Sequence, residues 1–378
     1  MQFRDLQTQY KRLKPQIDAG IAAVLTEGNF ISGQQVKELE QQLAEYVGTK
    51  HCITCANGTD ALEIALRAME VQPGDAVFVP DFTFFASGEA PANLGATPVF
   101  VDIDEKTYNI DVKSLETAIQ NVIEEGKFCP KVIVTVDLFG LPADYNKIKE
   151  IAQKYSLKIL EDGAQGFGGE YFKKKACGFG DISTTSFFPA KPLGCYGDGG
   201  AIFTDNEEYA SLIRSICVHG KGMDKYHNVR LGRNSRLDTL QAVVLLEKLK
   251  AFREEELEAV NRVAEWYFKY LPENVVKPVV PDGFYSSWAQ YTIRVTDETE
   301  RKELQEYLKE DGIPTNIYYP LPMQEQKAFG TECRYGENPV VKQACRQVLA
   351  LPIGPYMTED DVRLVSDRIR EFYRKRTC

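Results

Sequence analysis

Between residue 50 and about residue 205 short apolar runs alternate with stretches of helical periodicity, and this alternation restricts the chain more than any other feature. The runs are Cys52 to Cys55, Ala76 to Val79, Pro98 to Val101, Val132 to Val136, Leu157 to Leu160 and Ala201 to Thr204. Between them lie patterns such as Leu62, Ala65, Leu66 and Met69, spaced as one face of an amphipathic helix. Repeated strand–helix succession builds an α/β domain around a largely parallel sheet.

A chain of 378 residues exceeds the size at which one core keeps growing. We therefore expect a large domain over residues 1–255, including an N-terminal helical arm, and a smaller one over 256–378. The arm is a helix near residues 8 to 26, with Tyr10, Leu13, Ile17, Ile21 and Val24 on one face and Gly28 as its stop. A long helix near 236 to 260 leads into the second domain. Beyond it the spacing predicts a strand at Ala289 to Val295 and helices near 298 to 311, 339 to 349 and 358 to 375, the last capped by Thr358.

Composition removes several classes of function. A formal charge of −10 disfavours general attraction to nucleic acid or an anionic membrane. No stretch reaches the roughly 18 to 20 apolar residues of a membrane span, and Met1 to Asp5 lacks a signal-peptide pattern, so the cytoplasm is expected. Lys173-Lys174-Lys175 reads as a solvated turn. Nine cysteines and three histidines fit free thiols in a reducing compartment, and the Cys52/Cys55 pair reads as part of a strand, so no metal is expected.

Chemistry gathers in three segments. Lys191 closes Ser186-Phe187-Phe188-Pro189-Ala190-Lys191 and is followed by the glycine-rich Gly194-Cys195-Tyr196-Gly197-Asp198-Gly199-Gly200. Asp162, in Glu161-Asp162-Gly163-Ala164-Gln165, stands where an apolar strand ends. An amine in a tight turn and a carboxylate at a strand end suit pyridoxal phosphate, which takes one for covalent attachment and the other to keep its ring nitrogen protonated. Asn57-Gly58-Thr59-Asp60 joins a strand to a helix, with Asp60 and Glu63 at capping-box spacing, and is a candidate cradle for the cofactor phosphate.

With Asp81-Phe82-Thr83-Phe84, Val101-Asp102-Ile103-Asp104 and Gly232-Arg233-Asn234-Ser235-Arg236-Leu237-Asp238, these motifs make the chain resemble, nearly end to end, the DegT/DnrJ/EryC1/StrS sugar aminotransferases. The resemblance implies an aspartate-aminotransferase-like fold, with a mixed, mostly parallel seven-stranded sheet and a smaller C-terminal α+β domain. It implies that Lys191 and Asp162 are catalytic, with Gln165 beside the cofactor's phenolic oxygen and Phe84 stacked on its ring. Gly58, Thr59 and Ser186 would hold the phosphate, and Asn234 would reach the phosphate of a neighbouring subunit, which implies a homodimer with shared sites.

The resemblance also implies a reaction. Relatives that dehydrate sugars carry histidine where this chain has Lys191, so transamination from L-glutamate to a nucleotide-linked keto sugar is expected. The lysine loop is similar to that of enzymes aminating carbon 3, among them those acting on UDP-2-acetamido-3-keto-glucuronate for surface glycans. There Arg236 would face the sugar carboxylate, with Tyr318 and Tyr319 also at the sugar. Tyr318 and Gln324 stand where relatives usually carry histidines, a departure that bears on the acceptor. The loop from His219 to His227 is expected near the site. A dTDP-3-keto-6-deoxyhexose aminotransferase and a non-catalytic cofactor-binding regulator are the alternatives. A dinucleotide oxidoreductase is the weakest reading, because Gly194, Gly197, Gly199 and Gly200 do not open a helix after a strand.

Overall fold

A computed structural model of the chain describes every residue except Lys225, Arg334, Tyr335 and Cys378, together with all side chains but those of these four, Glu332 and Thr377. In chain order its first strands are β1 (His51–Cys55), β2 (Asp75–Pro80), β3 (Thr97–Val101), β4 (Cys129–Val136) and β5 (Lys158–Asp162). A hairpin of β6 (Glu170–Tyr171) and β7 (Lys174–Lys175) follows, then β8 (Ile182–Ser186) and β9 (Gly200–Thr204). Seven of these form one sheet in the order β1-β9-β8-β5-β4-β2-β3. Strand β9 runs antiparallel to both neighbours and the remaining adjacent pairs are parallel. The sheet is thus mixed and mostly parallel, as expected.

Alternate residues of each strand enter opposite cores, the period of two that a strand imposes. Val77, Val79, Val132 and Val134 pack with helices Gly58–Ala68, Ala86–Asn93 and Glu207–Cys217 on one face. Ala76, Phe78, Val99 and Ile133 pack with helices Val112–Glu125 and Tyr145–Tyr155 on the other. Strand β8 was not foreseen. Its Ser183, Thr184 and Thr185 are buried yet satisfied, donating to Glu161 Oε2 at 2.7 Å, the Glu161 carbonyl at 3.1 Å and the Gly163 carbonyl at 3.2 Å. A strand whose hydroxyls find partners this way carries no apolar run for a sequence reading to detect.

Helix Leu6–Glu27 is the expected arm, capped by the Asp5 side chain and stopped at Gly28, whose φ of 71° suits a residue without a Cβ. It packs on helix Thr239–Ala251. Helix Gln34–Val47, which the sequence reading omitted, buries Leu39 and Leu43 beneath β1. The long helix expected at 236 to 260 begins at Thr239, passes through a π-helical turn at Phe252–Glu256 and continues as Leu257–Tyr270. Lys173 is in a turn as expected, at positive φ beside Phe172, while Lys174 and Lys175 are strand residues and Lys175 pairs with Glu170 at 2.6 Å.

After that helix the chain adds β10 (Phe284–Tyr285), paired with β6, and an antiparallel pair of β11 (Tyr291–Arg294) and β12 (Val348–Leu351). Helices Leu257–Tyr270, Glu298–Glu310 and Glu359–Thr377 enclose a separate core around Tyr267, Tyr291, Ile293, Leu304, Leu349 and Val365. Residues 348 and 349, expected to end a helix, belong to β12 because helix Pro339–Gln347 stops before them. Thr358 caps the last helix, its Oγ1 accepting from the Asp361 amide at 3.2 Å. Met323, Phe329, Val341 and Ala344 return to the first core of the large sheet. No helix among the described residues is long and apolar enough to cross a membrane, and no group of potential metal ligands occurs among them.

Candidate active site

The carboxyl ends of β1, β5 and β8 and the amino end of β9 meet at one edge of the sheet. Side chains there leave the ladder for a crevice between strand ends and helix starts, where α/β sheets place ligands. A cavity of about 660 Å3 opens at this edge. Gly58, Thr59, Phe84, Asp162, Gln165, Ser186, Lys191, Tyr318 and Tyr319 all contribute to its walls.

Asp162 ends β5 and is buried. Its Oδ2 accepts from Ser87 Oγ at 2.7 Å and its Oδ1 from the Ala164 amide at 3.2 Å. Burial raises the carboxyl pKa, while the Ser87 hydrogen bond, the Lys191 charge and the Ala164 amide pull it down. A buried carboxylate so supported is suited to a cationic partner, and a protonated pyridine nitrogen is one.

Lys191 is half-buried at the end of a turn in which its amide donates to the Phe188 carbonyl at 2.8 Å. The turn is anchored by buried Phe187, Leu193 and Cys195, and by Lys248, whose Nζ donates to the Gly194 carbonyl at 2.5 Å. A Cβ on Gly194 would lie 2.5 Å from the Pro189 carbonyl oxygen, so the turn closes only on glycine. Burial lowers the pKa of Lys191; the Asp162 charge opposes that shift and the Arg4 charge adds to it. The amine is therefore easier to obtain in its neutral, nucleophilic form.

At the other end of the cavity helix Gly58–Ala68 begins at Gly58, three residues earlier than expected, with Asn57 as its cap. Asn57 Oδ1 accepts from the Asp60 amide at 2.7 Å. Asp60 and Glu63 do not form the expected capping box. Both pair with Arg233, Asp60 at 3.3 Å, because Asn57 already serves the free amide. The Gly58 and Thr59 amides have no acceptor among the described residues. A Cβ on Gly58 would lie 2.7 Å from Ser186 Cβ, so glycine lets this backbone close against the end of β8. Two free amides at a helix start beside two hydroxyls fit a phosphate.

Gln165 is buried between two partners, accepting from the Phe139 amide at 2.9 Å and donating to the Tyr319 hydroxyl at 3.1 Å. Its side chain is thereby fixed in orientation. Burial raises the pKa of Tyr319, which stays a neutral phenol. Phe84 and Phe188 stand at the mouth, 55% and 53% exposed.

Three contributors were not read from the sequence. Ser87 supports Asp162 from outside the cavity wall. Gln290 lines the cavity with a buried Oε1 that has no partner among the described residues, and Phe188 lies at the rim. Phe188 was within a quoted motif, but nothing marked Ser87 or Gln290.

Asn234 and Arg236 are not among the residues lining this cavity. Asn234 is exposed beyond it, while its neighbour Ser235 accepts from the Ala56 amide at 3.0 Å, next to the Asn57 turn. Arg236 is half-buried and makes no ion pair with the described residues. Gln324 is buried elsewhere, its amide donating to Asp81 Oδ1 at 2.7 Å. In the expected loop His227 is exposed, lies 3.0 Å from Asp224 through Nδ1 and is not among the residues lining the cavity, and Lys225 lies outside the described residues.

Known proteins resemble this chain over nearly its whole length. The family described as DegT/DnrJ/EryC1/StrS aminotransferase matches residues 11–370. A UDP-2-acetamido-2-deoxy-3-oxo-D-glucuronate aminotransferase from Pseudomonas aeruginosa is 45% identical, over 97% of this chain and 98% of its own. A pleiotropic regulatory protein from Geobacillus stearothermophilus is 42% identical, over 98% of each chain. The crystal structure of a DegT DnrJ EryC1 StrS aminotransferase from Brucella abortus superimposes with a TM-score of 0.96 at 47% identity, covering 98% of this chain and 99% of that one.

Proposed function

The chain belongs to the DegT/DnrJ/EryC1/StrS aminotransferase family, and from that premise we propose that it moves the amino group of L-glutamate to carbon 3 of a nucleotide-linked 3-keto sugar. UDP-2-acetamido-3-keto-glucuronate is the first candidate acceptor, on the strength of the Pseudomonas aeruginosa relative. Members of this family are sugar transaminases dependent on pyridoxal phosphate. The observation that carries the reading is one cavity holding Lys191, Asp162 and the Gly58/Thr59/Ser186 cradle.

Bound there, the cofactor supplies an electron sink for the pair left when a proton departs from the amino-bearing carbon. Each residue has a matching task in this reading. Lys191 Nζ, made less basic by burial, takes the proton and returns it. Asp162 keeps the ring nitrogen protonated, and its hold on Ser87 keeps it aimed. Gly58, Thr59 and Ser186 bind phosphate. Gln165, held by Phe139 and Tyr319, faces the phenolic oxygen, and Phe84 covers the ring face.

The working unit is taken as a homodimer in which the partner subunit's Asn234 completes the phosphate site. Its exposed position outside its own chain's cavity is consistent with this. Residues 1–255 are taken as a cofactor domain and 256–378 as a small domain, a division supported by the π-helical turn at Phe252–Glu256 and by a core drawn wholly from residues after it, although Met323, Phe329, Val341 and Ala344 pack on the large sheet. Action in the cytoplasm, feeding a surface glycan, completes the reading, with Arg236, Tyr318 and Tyr319 assigned to the sugar.

Purified holoenzyme incubated with glutamate and UDP- or dTDP-linked 3-keto sugars should give an amino sugar detectable by mass. Turnover of a 4-keto sugar alone would overturn the regiochemistry. Borohydride should fix the cofactor's mass on the peptide carrying Lys191, and Lys191→Ala should abolish both that adduct and turnover. A second reading, a regulator that binds the cofactor without catalysis, is favoured by the name of the Geobacillus stearothermophilus relative. It requires visible absorbance that glutamate leaves unchanged.

A further inference from the structure

The residues ahead of the first helix fold back to the cavity. The ring of Phe3 lies 6.3 Å from that of Tyr318, and Arg4 Nη2 donates at 3.4 Å to the carbonyl of Pro192, the residue after Lys191. That long contact engages one of five guanidinium N–H groups. Arg4 makes no ion pair with the described residues. Glu256, the carboxylate acting on it most strongly, is already committed. Its oxygens accept from Gln9 Nε2 at 3.1 and 2.9 Å and from the Tyr356 hydroxyl.

Burial takes the Arg4 guanidinium down to about 10, and its charge is felt by Lys191 and Tyr318, both in the cavity wall. A half-buried guanidinium that makes no direct ion pair with the described residues and keeps free donors in a planar fork is matched best by a carboxylate. We propose that Arg4 is a specificity-determining residue that receives a substrate carboxylate at the Lys191 end of the cavity. This rests on the transaminase reading, under which carboxylates reach the site from two sources: the dicarboxylic amino donor and a uronate acceptor. Neither Arg236, assigned to the uronate from sequence, nor Arg4 is among the residues lining the cavity, but Arg4 bonds to Pro192, the neighbour of the lining residue Lys191.

Unreactive probes separate the two sources. Glutarate stands in for the donor and UDP-glucuronate for the acceptor, with UDP-glucose as a control that carries the nucleotide and no carboxylate. Calorimetric titration of the holoenzyme should show Arg4→Gln weakening glutarate or UDP-glucuronate by about tenfold to a hundredfold, with UDP-glucose unchanged. The probe that loses affinity identifies the source, and Arg4→Lys should retain part of the binding. A melting curve and the borohydride adduct verify that each variant is folded and loaded. The proposal is overturned if Arg4→Gln leaves both carboxylate probes at wild-type affinity, if UDP-glucose falls in step with them, or if the wild type binds neither carboxylate. Failure of the transaminase reading shows separately, as wild-type absorbance that glutamate does not change.

Discussion

Ser87 shows how a site residue acts from behind. Its hydroxyl is the strongest influence holding the buried Asp162 toward its charged form, because a short hydrogen bond to an oxyanion counts for most where water is absent. Gly58 works through what it lacks. In Gly58→Ala the new Cβ would meet Ser186 Cβ at 2.7 Å, and overpacking of that kind costs about 1–3 kcal/mol. If that cost falls on the phosphate end, cofactor dissociation should rise by about tenfold to a hundredfold. Titrating apoenzyme with pyridoxal phosphate by absorbance measures this, and wild-type affinity in the variant would remove Gly58 from the cradle. Lys191, Asp162, Gly58 and Thr59 were legible because each sits in a contiguous segment whose chemistry is visible residue by residue. Ser87, Gln290 and Arg4 were not, since their meaning comes from contacts with residues far away in the chain: Asp162, the cavity and Pro192.

Among the elements, β2 ends against Asp81, which fastens the C-terminal segment to the large sheet. Its Oδ1 accepts from the Gln324 amide at 2.7 Å and its Oδ2 from Asn338 Nδ2 at 2.9 Å. Burial nevertheless raises its pKa to about 7, with Asp102 and Glu325 adding to the shift and the two hydrogen bonds opposing it. The folded state then holds a proton that the unfolded chain has released. The contribution is complete below the ordinary carboxylate pKa and is lost as pH climbs through about 7, by on the order of 4 kcal/mol. Asp81→Asn, which cannot ionise, should therefore become more stable relative to wild type between about pH 5 and pH 8. Denaturant melts across that range test this; parallel curves for the two proteins would reject it. The same elements show what pattern reading can reach. Strands β2 to β5 are apolar and were found, whereas β8 was missed because Ser183, Thr184 and Thr185 look like a loop until Glu161 is placed beside them. The helix into the C-terminal segment was found without its π-helical turn, since Phe252 to Glu256 carries no glycine or proline to signal it.

Across the whole molecule, apolar side chains are left outside every core. Met223, Tyr226, Val229 and Leu231 are exposed on the segment leading to Asn234, with Leu231 89% exposed, and Phe84 and Phe188 flank the cavity mouth. Exposed apolar surface of this extent is expected to meet a partner. Light scattering on the eluted protein should give the mass of two chains. Leu231→Glu should shift it toward one and, with the partner subunit's Asn234 withdrawn, weaken cofactor binding; an unchanged dimer with unchanged affinity would exclude this surface. The reversed direction of β9 has a separate consequence. Because Ser186 and Gly200 are direct partners on neighbouring strands, the residues between them form a strap pinned at both ends. The reach of the amine is then a matter of contour length. A chain gaining or losing a residue in that strap would have to relocate Lys191 across the crevice, so among proteins built this way the distance in sequence from strand to lysine should behave as a fixed ruler while the outer loops drift in length.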